Sequence, residues 1–67
     1  MTPEEMVKNE IKRRGMTLRT VSDRAGVKYS ALQPSMSGAR ELRADEYLRL
    51  CVLLELDPRG YRKEILA

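Results

Sequence analysis

The sequence contains no histidine, no tryptophan and no phenylalanine, and its only cysteine is Cys51. Without histidine the chain lacks the side chain that most often serves as a general base, which makes an enzyme the least favoured class of function. A single cysteine cannot form an intrachain disulfide, and without histidine it has no companion for a zinc site. Because Cys51 lies in the apolar run Leu-Cys-Val-Leu-Leu, we expect it to be a small buried hydrophobe. Neither a cofactor nor a metal is predicted.

The sequence is also poor in the β-branched and aromatic residues that favour strands, whereas charged residues make up 34% of it. This composition predicts an all-α protein. Its 67 residues are near the lower limit for folding around one hydrophobic core, so we expect a single domain over residues 1–67. The core must come from Leu, Ile, Val, Met and Ala, with parts of the three tyrosines.

Long apolar runs are absent as well, so no segment is predicted to span a membrane. The first five residues, Met-Thr-Pro-Glu-Glu, lack the basic and apolar regions of a signal peptide. These two features predict a soluble, cytoplasmic protein.

Residues that start and stop helices divide the chain into short segments. Thr2, followed by Pro3 and by Glu5 at capping-box spacing, predicts the start of a first helix, and Gly15 predicts its end. Thr17 is a candidate cap for a second helix over about 18–25. Gly26 is expected to end that helix, because glycine adopts the left-handed conformation without steric conflict.

Residues 17–38 form the unit around which the chain is organised. The second helix has one packed face, formed by Leu18, Val21, Ser22 and Ala25. After Gly26 and the apolar Val27, a third helix over about 29–37 turns Ala31, Leu32 and Met36 inward and stops at Gly38. Two short helices joined by a glycine turn predict a helix-turn-helix.

The remaining segments are predicted to support that unit. Leu42, in the loop after Gly38, is expected to turn into the core. A central buried helix is predicted over about 44–55, with apolar positions at Tyr47, Leu48, Leu50, Cys51 and Leu54. Asp57 and Pro58 are predicted to open a fifth helix through Tyr61, Ile65 and Leu66.

Positive charge is concentrated around the helix-turn-helix unit. The net charge of the chain is +3, but residues 12–43 hold eight basic and two acidic residues and therefore carry +6. Residues 1–11 carry −2 and residues 44–67 carry −1. This distribution indicates a polyanionic partner, and the alternative is a solvated basic surface without a partner.

Two stretches of the sequence, Thr-Leu-Arg-Thr-Val-Ser-Asp-Arg-Ala-Gly-Val-Lys-Tyr-Ser-Ala-Leu over residues 17–32 and Met-Ser-Gly-Ala-Arg over residues 36–40, resemble the phage repressor and Cro family of helix-turn-helix proteins. Residues 48–58 are similar to that family's fourth helix and its entry into the fifth, so the resemblance covers about residues 7–65. Its most specific element is the spacing of Gly26, Val27, Leu32, Met36 and Gly38. It implies a compact five-helix domain like that of lambda repressor, acting as a sequence-specific regulator of transcription on double-stranded DNA.

The resemblance also implies a DNA-binding site. A recognition helix over about 28–37 would lie in the major groove, with Tyr29, Ser30 and Gln33 directed at base edges. Phosphate contacts would come from Thr17, Lys28, Arg40 and Arg43, and Arg19 would add a further charge on this side. Because a module this small buries too little surface for tight and selective binding alone, we expect a homodimer on a palindromic operator, with a dimer surface around Leu53, Leu56 and the last helix. Arg24 and Arg49 are expected to be solvated surface.

Several positions leave alternatives open or depart from the family pattern. Tyr29 could pack against the first helix, Gln33 could be an ordinary exposed residue, and Thr17 caps its helix with or without DNA. Lys28 stands where the family commonly has a Ser or Thr cap, and Ser22 where it usually has Ala.

Pro34 removes one backbone donor and is expected to kink the third helix or end it near Gln33. Pro34 also favours an alternative function, a protein-binding adaptor or antitoxin-like module on the same fold.

Overall fold

The computed structural model describes residues 2–58, and over that range the protein is all-helical, as predicted. Its helices are α1 (Pro3–Arg14), α2 (Leu18–Ala25), α3 (Tyr29–Ser37) and α4 (Ala44–Leu54). The predicted fifth helix, through Tyr61, Ile65 and Leu66, lies outside the described residues. In the described part of the chain, no helix is long and apolar enough to cross a membrane.

The predicted capping box starts α1. The Thr2 hydroxyl accepts a hydrogen bond of 3.1 Å from the Glu5 backbone N–H, and the Glu5 carboxylate accepts one of 3.3 Å from the Thr2 N–H. At the other end Gly15 is left-handed, with a φ of 67°, and its N–H binds the Lys12 carbonyl. Both ends of α1 are therefore where the sequence predicts them, because each is set by local hydrogen bonds.

Two hydrogen bonds, one to the Ser22 carbonyl and one from the Ser22 hydroxyl, stabilise the turn between α2 and α3. Gly26 has a φ of 73° and donates its N–H to the Ser22 carbonyl. The buried Ser22 hydroxyl donates to the carbonyl of Val27, whose side chain is buried in the core. This hydrogen bond gives Ser22 a structural role in the turn that an alanine at this position could not supply.

Helix α3 continues through Pro34 to Ser37, so the prediction that it ends near Gln33 is wrong. Pro34 still has no N–H for the carbonyl four residues earlier. Two further hydrogen bonds lie around Pro34, because the Ser35 hydroxyl donates to the Ala31 carbonyl at 2.9 Å and the Ala39 N–H donates to the Pro34 carbonyl at 2.9 Å. Tertiary packing of Leu32 in the core adds to this local support.

The core draws on every helix and on two connecting segments. Its buried hydrophobic members are Val7, Ile11, Val21, Ala25, Val27, Leu32, Met36, Leu42, Tyr47, Leu50, Cys51 and Leu54. The predictions for Leu42 and Cys51 are confirmed, and burial raises the pKa of the Cys51 thiol. The prediction for Leu48 is wrong, since that side chain is 50% exposed. Helix α4 supplies four of these core residues and is the central helix, as predicted.

Candidate nucleic-acid interface

The predicted base-facing residues lie on the solvent side of α3. Tyr29, Ser30 and Gln33 are exposed, and their spacing of three and four residues places them on one helix face. Lys28, the residue immediately before α3, is exposed too. The opposite face of α3 holds the buried residues Leu32, Ser35 and Met36. Burial of one face thus fixes the helix on the core and leaves the other face available to a partner.

Arg19 of α2 contacts the ring of Tyr29 at the start of α3. Its guanidinium carbon lies over the ring, 4.6 Å from the centroid, and Tyr29 is 37% exposed. A cation held over an aromatic ring is attracted by the ring's quadrupole, typically by about 0.5–1 kcal/mol at an exposed site. This contact orients the Tyr29 ring from α2. The contact itself involves no hydrogen bond from the Arg19 guanidinium to an oxygen atom.

Thr17 caps α2, as predicted. Its hydroxyl oxygen accepts from the Thr20 backbone N–H at 3.2 Å and donates its own proton to the Thr20 hydroxyl at 2.9 Å. Thr17 is exposed, and the first N–H groups of a helix point out of its N-terminal end. A phosphate oxygen could approach this end, so the predicted contact of Thr17 with phosphate stays a prediction.

Arg40 has partners within the protein that sequence reasoning did not foresee. Its side chain is only 31% exposed, and its two terminal nitrogens bind the two carboxylate oxygens of Glu46 at 2.9 and 3.1 Å. It also donates to the Ser35 hydroxyl at 3.0 Å. The hydrogen bond from Arg40 lowers the pKa of Glu46, so this carboxylate is ionised at neutral pH. The predicted phosphate contact of Arg40 would have to compete with these bonds.

Arg43, in contrast, presents its guanidinium to solvent. Its side chain is 76% exposed, and its ion pair within residues 2–58 is a long one of 3.9 Å with Asp45, which is itself exposed. The Arg43 backbone N–H donates to the Glu46 carboxylate at 2.9 Å, and this hydrogen bond caps the N-terminus of α4. The backbone is therefore fixed while the charged group is free to bind an anion.

Part of the positive charge counted in the sequence is neutralised within the fold. Arg13 and Arg14 both bind the Glu10 carboxylate, and the hydrogen bonds from Arg13 and then Arg14 lower the pKa of Glu10 to about 2. Arg14 also donates to the Leu54 carbonyl at 2.7 Å, which joins the end of α1 to the end of α4. Lys28, by comparison, forms no ion pair with any carboxylate of residues 2–58.

A shallow cleft places two lysines of α1 beside the exposed face of α3. The cleft has a volume of about 350 Å³, and its lining includes Lys8 and Lys12 of α1 together with Gln33 of α3. Ile11 and Met36 form an apolar part of its lining. Sequence reasoning did not assign Lys8 and Lys12 to the site. Their spacing of four residues puts them on one face of α1, but only the fold shows that this face adjoins α3.

The described residues offer no metal site, because among residues 2–58 no three His, Cys, Asp or Glu side chains are grouped closely enough to hold an ion. Comparisons with known proteins yield no relative: no family model matches the chain, and no curated protein or solved structure matches it.

Proposed function

We propose that this chain is a sequence-specific regulator of transcription of the phage repressor and Cro type, in which α2 and α3 form the helix-turn-helix and α3 enters the major groove of DNA. The observation that carries the proposal is the exposed face of Lys28, Tyr29, Ser30 and Gln33, opposite a buried face of the same helix. Such a face can approach base edges without rearrangement of the core.

The chemistry of the exposed face suits base recognition. The Gln33 amide carries both a donor and an acceptor, the pair that adenine requires in the major groove. The Ser30 hydroxyl can bond to either type of base, and the Tyr29 ring can contact a thymine methyl group or a sugar. Because Arg19 orients that ring, Tyr29 would be presented to DNA in a defined position.

Positive groups on the same unit would position the protein on the sugar-phosphate backbone. Lys28 and Arg43 are exposed cations at the start of α3 and at the start of α4. At the Thr17 end of α2, free backbone N–H groups would donate to a phosphate oxygen. Arg19 adds a further charge beside Tyr29. Arg40 is not part of this proposed set, because its guanidinium is bound by Glu46.

A homodimer on a palindromic operator completes the proposal, since one domain of this size covers few base pairs. Leu53 and Leu56, the residues expected at a dimer surface, are partly buried against the core. The most exposed large apolar side chains of α4 are instead Leu48 and Val52, at 50% and 82% exposure. Binding of the dimer would act as repression by blocking access of the polymerase to the operator.

The alternative of a protein-binding module was favoured by Pro34, on the expectation that this residue disrupts the recognition helix. Helix α3 runs through Pro34 to Ser37, so a recognition helix that ends near Gln33 no longer supports this alternative. The two functions still differ in an observable way. Affinity for duplex DNA falls steeply with salt because counterions are released, whereas binding to a protein partner has no such obligatory dependence.

Replacing Gln33 with alanine tests whether this residue contributes to the choice of DNA sequence. We expect Gln33→Ala to relax the preference at one base pair per half-site, by about 1–3 kcal/mol of discrimination, because the bidentate contact is lost. The measurement is selection of bound duplexes from a random pool, followed by titration of the selected sites.

Asn9→Ala is the matched control, since it removes an exposed amide from α1 and should leave the selected sequence unchanged. An identical preference for Gln33→Ala and for the unmodified protein would remove Gln33 from the base-contacting set. Failure of the unmodified protein to bind any duplex at low salt would contradict the proposed function itself.

A further inference from the structure

A cluster of polar side chains links the proline-containing helix α3 to the start of α4. At its centre Arg40 binds both carboxylate oxygens of Glu46, at 2.9 and 3.1 Å. The same guanidinium donates to the hydroxyl of the fully buried Ser35 at 3.0 Å and makes a longer contact of 3.4 Å with the Ala31 carbonyl. Ser35 in turn donates to the Ala31 carbonyl at 2.9 Å. We refer to Arg40, Glu46 and Ser35 as the Arg40 brace.

The brace acts on the turn of α3 that Pro34 weakens. Pro34 supplies no N–H to the Ser30 carbonyl, and its ring crowds that carbonyl, which together destabilise a regular helix interior. A serine hydroxyl that bonds back to the carbonyl four residues earlier tends to bend a helix, so it does not by itself replace the missing bond. A donor anchored outside the helix, such as Arg40, can hold a bent turn in place. The Ala31 carbonyl, next to the one that Pro34 leaves without a donor, is contacted by both Ser35 and Arg40.

We infer that Arg40 is a positioning residue: through Glu46 and Ser35 it keeps α3 helical across Pro34 and thereby sets the orientation of the exposed face that carries Ser30 and Gln33. The consequence for DNA binding rests on the proposed function, whereas the effect on α3 does not. Glu46 serves two purposes in this arrangement, since the same carboxylate accepts the Arg43 backbone N–H and starts α4. The brace therefore ties the end of the recognition unit to the central helix.

Arg40→Lys separates this role from a phosphate contact. Lysine keeps the positive charge, but it cannot reproduce the bidentate geometry of the guanidinium. A positioning role predicts that Arg40→Lys and Glu46→Gln shift the amide NMR resonances of α3 in the DNA-free protein in the same sense. The control Arg24→Gln removes an exposed charge from α2 and should leave the α3 resonances in place. Unchanged α3 resonances in folded Arg40→Lys and Glu46→Gln would overturn the inference.

A double-mutant cycle with Pro34→Ala tests whether the brace compensates for the proline. Alanine restores the missing donor to the Ser30 carbonyl, so the brace should then matter less. We expect the loss in the folding equilibrium constant caused by Arg40→Gln to be roughly three- to tenfold smaller in the Pro34→Ala background. Losses that agree within about twofold in the two backgrounds would be additive and would contradict the inference. Urea unfolding of the four proteins, followed by circular dichroism, provides the constants.

Binding to duplex DNA distinguishes a positioning role of Arg40 from a direct contact of Arg40 with phosphate. A lost phosphate contact reduces the slope of log affinity against log salt by about 0.9. A positioning role predicts instead that Arg40→Lys and Glu46→Gln weaken selected-site binding and leave this slope unchanged. A slope that falls with Arg40→Gln but not with Arg40→Lys would show a phosphate contact and overturn the inference. If neither the unmodified protein nor any variant binds DNA, the proposed function fails. The α3 amide resonances of the DNA-free proteins then still test whether Arg40 positions α3.

Discussion

Replacing Leu32 with alanine is expected to lower the free energy of unfolding by about 2–5 kcal/mol, the range for deleting a buried leucine side chain. Leu32 is fully buried and lies on the face of α3 that packs against the core. A domain of this length has a total stability of only about 3–10 kcal/mol. The variant should therefore be partly or wholly unfolded at 37 °C, and α3 should be lost with it.

Gln33→Ala is the matched control for this loss, because Gln33 is the next residue of the same helix and is exposed. It should change the free energy of unfolding by less than about 0.5 kcal/mol, as surface substitutions usually do. Urea unfolding of both variants measures the difference. Equal unfolding midpoints for Leu32→Ala and Gln33→Ala would show that α3 is not held by the packing described above.

Reversing the charges of Lys28 and Arg43 together is expected to weaken binding to every duplex on the order of a hundredfold or more, since each charged hydrogen bond to phosphate contributes about 1.5–3 kcal/mol. Both side chains are exposed, and neither is part of the core. The double variant Lys28→Glu/Arg43→Glu should therefore remain folded. Its effect should be uniform across DNA sequences, because phosphate contacts carry no base information.

Arg24→Glu/Arg49→Glu provides the control for this experiment. It makes the same change in net charge at two exposed arginines that are not among the proposed DNA contacts. Because the Arg49 guanidinium lies beside Gly26 in the α2–α3 turn, circular dichroism checks that this variant is folded. Fluorescence anisotropy with labelled duplexes over a range of salt concentrations measures affinity and salt slope for both double variants. If the two double variants lose affinity equally, the protein binds DNA through net charge alone, and Lys28 and Arg43 have no special position.

The helix boundaries could be predicted from the sequence because they depend on local chemistry. Thr2 and Thr17 cap the helices they precede, and Gly26 and Gly38 end helices in the left-handed conformation, at φ values of 73° and 90°. Each of these features is decided by hydrogen bonds within four or five residues. The alternation of buried and exposed positions in α3 follows equally from helical spacing.

Contacts between separate parts of the chain could not be predicted from the sequence. The local argument from Pro34 allows α3 to end near Gln33, but the packing of Leu32 in the core and the hydrogen bond from Arg40 to Ser35 come from outside the helix. The resemblance to the repressor family assigns Arg40 to phosphate, and that assignment stays a prediction, but the sequence does not show that its partner Glu46 lies six residues further on, at the start of another helix. Neither the occupied guanidinium of Arg40 nor the proximity of Lys12 to Gln33 is visible without the arrangement of the helices.

An amide NMR titration of the unmodified protein with a random-sequence duplex at low salt tests the central claim most directly, because it reports each backbone position separately. We expect the largest shifts at Lys28, Tyr29, Ser30 and Gln33 and at the start of α2, with a progressive loss of these shifts as salt is added. Shifts confined to other surfaces, or no shifts at any duplex concentration, would contradict the assignment of α3 as a DNA-recognition helix.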